Sequence, residues 1–168
     1  MPNTFLVSLF EHKAWCNRGL IEALRAAPED ADRMGMAIAL LTLEHTAIVD
    51  QIFKARLCGE DPGFTSVVGG RPPKVDELCA RMRETDAWYL DYAGRVSPAE
   101  LETPVAFKFI SDDDEGRMTK GQILAHVITH SASHRGAIGQ MLETMNVRGA
   151  PDMVTSFANL PEHSSPVD

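Results

Sequence analysis

Three histidines, His126, His130 and His134, lie in one stretch of this 168-residue chain, TKGQILAHVITHSASHRGAIGQMLETM from Thr119 to Met145. Imidazoles spaced four residues apart stand one above the other on a helix, and two so placed can share a metal ion. At about 100° per residue, Ile123, Val127, Ile138, Met141 and Met145 form an apolar stripe about 60° wide. His134 projects from the middle of that stripe and His130 from its edge, with His126 about 80° from His134 on the flank. A lone histidine on an apolar face is usually a hydrogen-bonded core residue. Two in one stripe would each need a buried partner, which favours a shared metal ion. A catalytic zinc-type site takes three protein ligands and leaves one position open, so a third histidine is required.

The segment from Met34 to about Leu57 supplies it. Ile38, Leu41, His45, Ile48 and Ile52 recur at steps of three and four, which puts His45 at a core position of a second helix. Taken alone His45 would be structural; with His130 and His134 it completes a three-imidazole set from two helices. Neutral imidazole suits Zn²⁺ and Ni²⁺, so a divalent ion of that kind is the expected cofactor. Such an ion would acidify a bound water or substrate thiol. Protons compete for the same nitrogens, so metal affinity is expected to fall as pH drops through about 6.5.

Around this set the assignments are less direct. Glu44 points about 100° away from His45 and is expected to be solvated or to sit behind the ligands; Asp50 is near it in sequence. His126 is expected either to contact substrate or to pack on the helix flank. Arg135, also about 100° off the stripe, should bridge to a neighbouring helix or hold an anionic substrate group. Asn17 is a polar insertion in an otherwise apolar stripe and should make a buried hydrogen bond behind the site. His12 and His163 are expected at the surface. No Cys, Ser or Lys stands out as a nucleophile.

The remaining elements follow from the same periodicities. Thr4 to about Ala27 is a helix with Phe10, Ala14, Asn17, Ile21 and Leu24 on one face, closed by Pro28. GEDPGFTSVVGGRPP, residues 59–73, is a loop long enough to line a site. Lys74 to about Arg95 is a third helix, with Val75, Leu78, Met82, Tyr89 and Tyr92 inward, ended by Ser97 and Pro98. TPVAFKF alternates and DDDEG signals a turn, so a short β-hairpin precedes the histidine helix. The acidic run Asp112–Glu115 lacks a calcium-loop pattern and reads as a solvated turn. Thr119 and Gln122 form a capping box. The fold expected is all-α: a four-helix bundle with long connections, over residues 1–150. Residues 151–168 form a tail with too few apolar residues for another helix.

Composition excludes several classes. With 16 Lys and Arg against 24 Asp and Glu, the net charge of −8 argues against a nucleic-acid surface. No apolar run approaches the roughly 20 residues of a membrane span, and the N-terminus lacks signal-peptide features. Three unpaired, widely spaced cysteines (Cys16, Cys58, Cys79) indicate neither a disulfide framework nor a thiolate metal site. A reducing cytoplasm is the expected setting.

HVITHSASHRG from His126 to Gly136, LEHTAIVDQIF in the second helix and HKAWCNRGLIEAL in the first resemble the DinB/YfiT-like family of small metal-binding four-helix bundles. The likeness covers nearly the whole chain, in order. It implies that His45, His130 and His134 bind a divalent metal with a fourth position open to water. It also implies a small-molecule substrate, in some relatives with a low-molecular-weight thiol as cosubstrate for isomerisation or S-transfer, in others hydrolysis. Related bundles often dimerise, so a homodimer is expected. The alternative is a metal-stabilised binding module without turnover.

Overall fold

The computed structural model describes residues 3–112 and 114–161. In chain order the elements are α1 (Thr4–Arg25), α2 (Arg33–Cys58), α3 (Val75–Arg95), α4 (Pro98–Leu101), β1 (Pro104–Lys108), β2 (Glu115–Thr119), α5 (Lys120–Thr144) and α6 (Val154–Ala158). The four long helices form the bundle, α1 packing chiefly on α3 and α2 on α5. Their ends follow local chemistry. Asn3 and Asp32 cap α1 and α2 by accepting from the backbone N–H of Leu6 and Met34. Gly59 ends α2 in the left-handed conformation, φ 75°. At α5, Thr119 and Gln122 make the reciprocal capping box.

Two apolar clusters fill the bundle. One gathers Phe10, Phe53, Tyr89, Tyr92, Leu124 and Val127; the other Leu20, Leu43, Leu78, Met82, Ile138 and Leu142. Between them each long helix contributes polar residues at the same level: Lys13 and Asn17, Asp50, Asp86, and Ser131 with Arg135. All are buried. Lys13 Nζ lies 2.7 Å from both Asp50 and Asp86. Asn17 donates to both Asp86 oxygens, at 2.9 and 3.2 Å, and accepts from Arg135 at 3.1 Å. The Tyr89 hydroxyl donates to the Asp50 carbonyl at 2.7 Å. Each charge removed from water is thereby met by an opposite charge or a hydrogen bond, which burial of this kind requires.

That polar layer rotates two faces away from the expected stripes. The buried face of α5 runs through Leu124, Val127, Ser131, Arg135, Ile138 and Leu142, while Met141 and Met145 are only half-buried. Its centre is near Ser131, not His134. In α2, Ile38 is exposed and the buried face includes Ala39, Leu43, Thr46, Asp50 and Phe53. Histidines 45, 130 and 134 therefore sit at the rim of the core, half-buried. Counting only apolar side chains missed this because the core itself carries charge at this level.

Other departures are local. Ser97 does not simply end α3; with Glu100 it forms a capping box that starts α4. The tail after Met145 carries α6, against the expectation of no further helix. Its Phe157 is buried, and such a short helix holds because that ring docks on Trp15 and His12 of α1. The hairpin forms as expected, antiparallel, with Phe107 opposite Gly116 and Val105 opposite Met118. By length and mean hydropathy alone α2 passes as a membrane span, although Glu44 and Asp50 interrupt its apolar residues. Half of that stretch is buried within the bundle, as in a core helix.

Candidate metal centre

α2 and α5 bring three ring nitrogens together. His45 Nε2 is 3.2 Å from His130 Nε2, which is 3.1 Å from His134 Nε2. His45 Nδ1 donates to the Val67 carbonyl at 2.7 Å, since a carbonyl can only accept. Its proton is thus on Nδ1, leaving the Nε2 lone pair aimed at the other two rings. Unprotonated nitrogens this close repel unless a cation or proton lies among them. Three imidazoles bound to one tetrahedral ion at 2.0–2.1 Å would have nitrogens about 3.3 Å apart, close to what is seen. Among the described residues no fourth His, Cys, Asp or Glu joins the group. Glu44 turns away to Arg81 at 2.9 Å, and Asp50 to Lys13. The residues present fit a divalent ion with one position left open.

The loop over residues 60–74 does line this site. Val67 gives its carbonyl to His45, and two residues on Gly69 lies against the Glu44 carboxylate so closely that a Cβ there would collide with Oε2. Glycine at 69 lets the loop approach α2, and Arg81 holds Glu44 under it. The atoms such a Cβ meets are the far end of the Glu44 side chain, so Gly69→Ala is expected to swing that carboxylate off Arg81 and to leave the Val67–His45 bond and metal affinity nearly unchanged. Competition with a chelator measures this, and a loss of about 10–100-fold, usual for an outer partner of a ligand, would mean that the loop moves instead and takes the Val67 carbonyl with it.

Burial, followed by the neighbouring histidines His134, His126 and His45, pushes His130 down to a pKa of about 4. Burial also lowers His134 and His126. The folded protein therefore favours neutral rings. As pH falls below about 6.5 the unfolded chain takes up protons first, so stability is lost until the folded cluster protonates, for His130 near pH 4. The urea midpoint of chelator-stripped protein should fall across that window, and less steeply in His130→Asn. Equal slopes would remove His130 from the account. Protons also compete with a metal later than the free imidazole value implied.

His126 does not join the three nitrogens. Its ring stacks on His130 at 5.1 Å and meets Phe53 edge-on at 4.9 Å. Asn17 makes the expected buried hydrogen bonds, and Arg135 is buried rather than open to a substrate anion. It donates to Asn17 of the neighbouring helix α1 at 3.1 Å, and its ion pair is with Asp152 in the tail, at 2.6 and 3.1 Å. His12, expected at the surface, is buried: its Nε2 is 3.2 Å from Cys16 Sγ and 3.9 Å from Asp152. These three could also reach one ion. Arg135 already takes both Asp152 oxygens, and burial together with Asp152 pushes the Cys16 thiol up to about 12, so Cys16 stays a thiol and the group ties the tail to α1. His163 lies outside the described residues. Asp112, Asp114 and Glu115 are exposed, as a solvated turn would be.

The buried pairing of Lys13 with Asp50 and Asp86 was not foreseen from the sequence. Polar residues recurring at core spacing on α1, α2 and α3 were the available signal.

A three-histidine cluster drawn from the second and last long helices of such a bundle points back to the family that the motifs resembled. A model of the DinB superfamily matches residues 7–138. The chain belongs to the DinB superfamily. The match takes in most of α1, α2 to α4, the hairpin and most of α5, and so both helices that carry the three-histidine cluster. No curated protein and no solved structure matches the chain.

Proposed function

We propose that this DinB-superfamily protein is a metal-dependent enzyme that holds Zn²⁺ or Ni²⁺ through His45, His130 and His134. The observation that carries the reading is the convergence of three imidazole nitrogens with no fourth side-chain ligand among the described residues. The three rings are half-buried at the rim of the core, so a small molecule can reach them. Such an ion supplies a Lewis acid that makes water or a thiol acidic near neutral pH, the chemistry of hydrolysis or of thiol-dependent transfer and isomerisation. The protein's own groups do the rest. Val67 fixes the His45 tautomer, the capped α5 holds His130 and His134 one turn apart, and His126 faces whatever enters beside them. The free thiols of Cys16, Cys58 and Cys79 accord with a reducing compartment.

Cobalt substitution tests the open position. Visible bands of the Co²⁺ protein should shift when azide or 2-mercaptoethanol is added, as the small ligand enters the shell. A spectrum indifferent to both would mean a closed shell and would favour a metal-stabilised binding module.

A further inference from the structure

A cavity of about 350 Å³ lies between α2, the 60–74 loop, the hairpin and α5. Ile52, Phe53, Phe107 and Met118 line it, and His126 and His130 close one side. Its aromatic walls form a continuous train. Phe109 meets Phe107 edge-on at 5.2 Å, Phe107 meets Phe53 at 5.7 Å, Phe53 meets His126 at 4.9 Å, and His126 stacks on His130. Gly116 keeps this wall in place. A Cβ there would stand 2.5 Å from Phe107 and 2.9 Å from Phe109, so any larger residue would push both rings.

Three features define what fits. Of the described lining residues Lys108 alone carries a charge, so a charged group entering this space would lose its hydration with little in return. A cavity of about 150 Å³ accepts benzene, so this one has room for a two-ring group. His130 belongs to both places: its Nε2 is in the histidine cluster, its ring lines the cavity, and its buried Nδ1 has no hydrogen-bond partner among the described residues. An occupant of the cavity thus touches the ring that would hold the metal.

Resting on the metal-dependent reading, we propose that this cavity receives the uncharged apolar arm of the substrate, aromatic or alicyclic and up to two rings. The substrate's polar reacting group then lies at the histidine cluster. A polar low-molecular-weight thiol does not match these walls, which suit the molecule that the thiol would attack.

Calorimetry of the zinc-loaded protein with acetohydroxamic acid and 2-naphthohydroxamic acid tests this, because the two share a chelating head and differ in the arm. The naphthyl compound should bind at least about 30-fold more tightly, since each buried methylene-sized group is worth roughly fourfold. Met118→Trp and Ile52→Phe fill the cavity from different elements. Each should abolish that advantage while leaving zinc stoichiometry, far-UV circular dichroism and acetohydroxamate affinity unchanged. An advantage absent in the wild type, or surviving both substitutions, overturns the proposal. A second arm uses 2-naphthol and chelator-stripped protein. Binding that both substitutions remove supports the cavity assignment even if no metal is held, and no binding by stripped protein that takes up zinc when reloaded sinks the cavity assignment alone.

Discussion

Alanine at His130 will abolish near-stoichiometric binding of a divalent ion. His130 is the middle ring, its Nε2 within 3.2 Å of His45 and 3.1 Å of His134, and its removal leaves two imidazoles on different helices. The loss should exceed the roughly 10–100-fold that removal of an outer partner costs. His45→Ala and His134→Ala are expected to do the same, whereas His126→Ala should keep the ion, because its nitrogens lie outside the converging set. His12→Ala should also keep the ion while losing stability, through the lost contacts to Cys16, Trp15 and Phe157. Metal analysis of each purified variant after dialysis decides the matter. Full occupancy in His45→Ala would rule out a site shared by α2 and α5.

Replacement of Lys13 by methionine will destabilise the fold by roughly 3–5 kcal/mol, the cost of leaving a buried charge without its partner. Two carboxylates are left behind, Asp50 and Asp86, both within 2.7 Å of the lost ammonium and both buried. Burial pulls the Lys13 pKa down, but Asp50 and Asp86 outweigh it, and the net shift is upward. Asp50 has only a share of that one cation, and burial holds its pKa above 3.8. The sign for Asp50 follows. The folded state binds its proton more tightly than the unfolded chain, so its ionisation is a cost at neutral pH, relieved as pH falls through the folded value. Lys13→Met deepens that cost, and its deficit should shrink on acidification towards 3.8, the unfolded value. Urea denaturation at pH 7 and pH 5 measures both. A loss below 1 kcal/mol at pH 7 would mean that water reaches the layer and solvates the carboxylates. The exposed pairs of Arg25 with Glu22 and Asp76 provide a contrast, since Arg25→Ala should change little.

Much of this protein is local in origin and was therefore readable from the chain. Helix lengths, the Thr119–Gln122 capping box, the Gly59 stop and the Phe107 hairpin each depend on residues within a turn or two of one another. So does the pairing of His130 with His134, which a four-residue helical step imposes. His45 could be proposed as their partner because it recurs at helical spacing within α2. What the chain could not decide was which side of each helix faces inward. That depends on Lys13, Asp50, Asp86 and Arg135, from four helices, finding one another at a single level of the core. Their charges look like surface residues until the partners are in place. The same ion pairs turned His134 from the centre of a stripe to the half-buried rim of the core. Long-range packing likewise drew Asp152 back to Arg135, buried His12 beneath Phe157 and set the cavity against His130. Those contacts join residues far apart in sequence, and no local pattern specifies them. The chain by itself determined the histidines and their helical spacing; tertiary packing decided that three of them meet, half-buried, beside an apolar cavity.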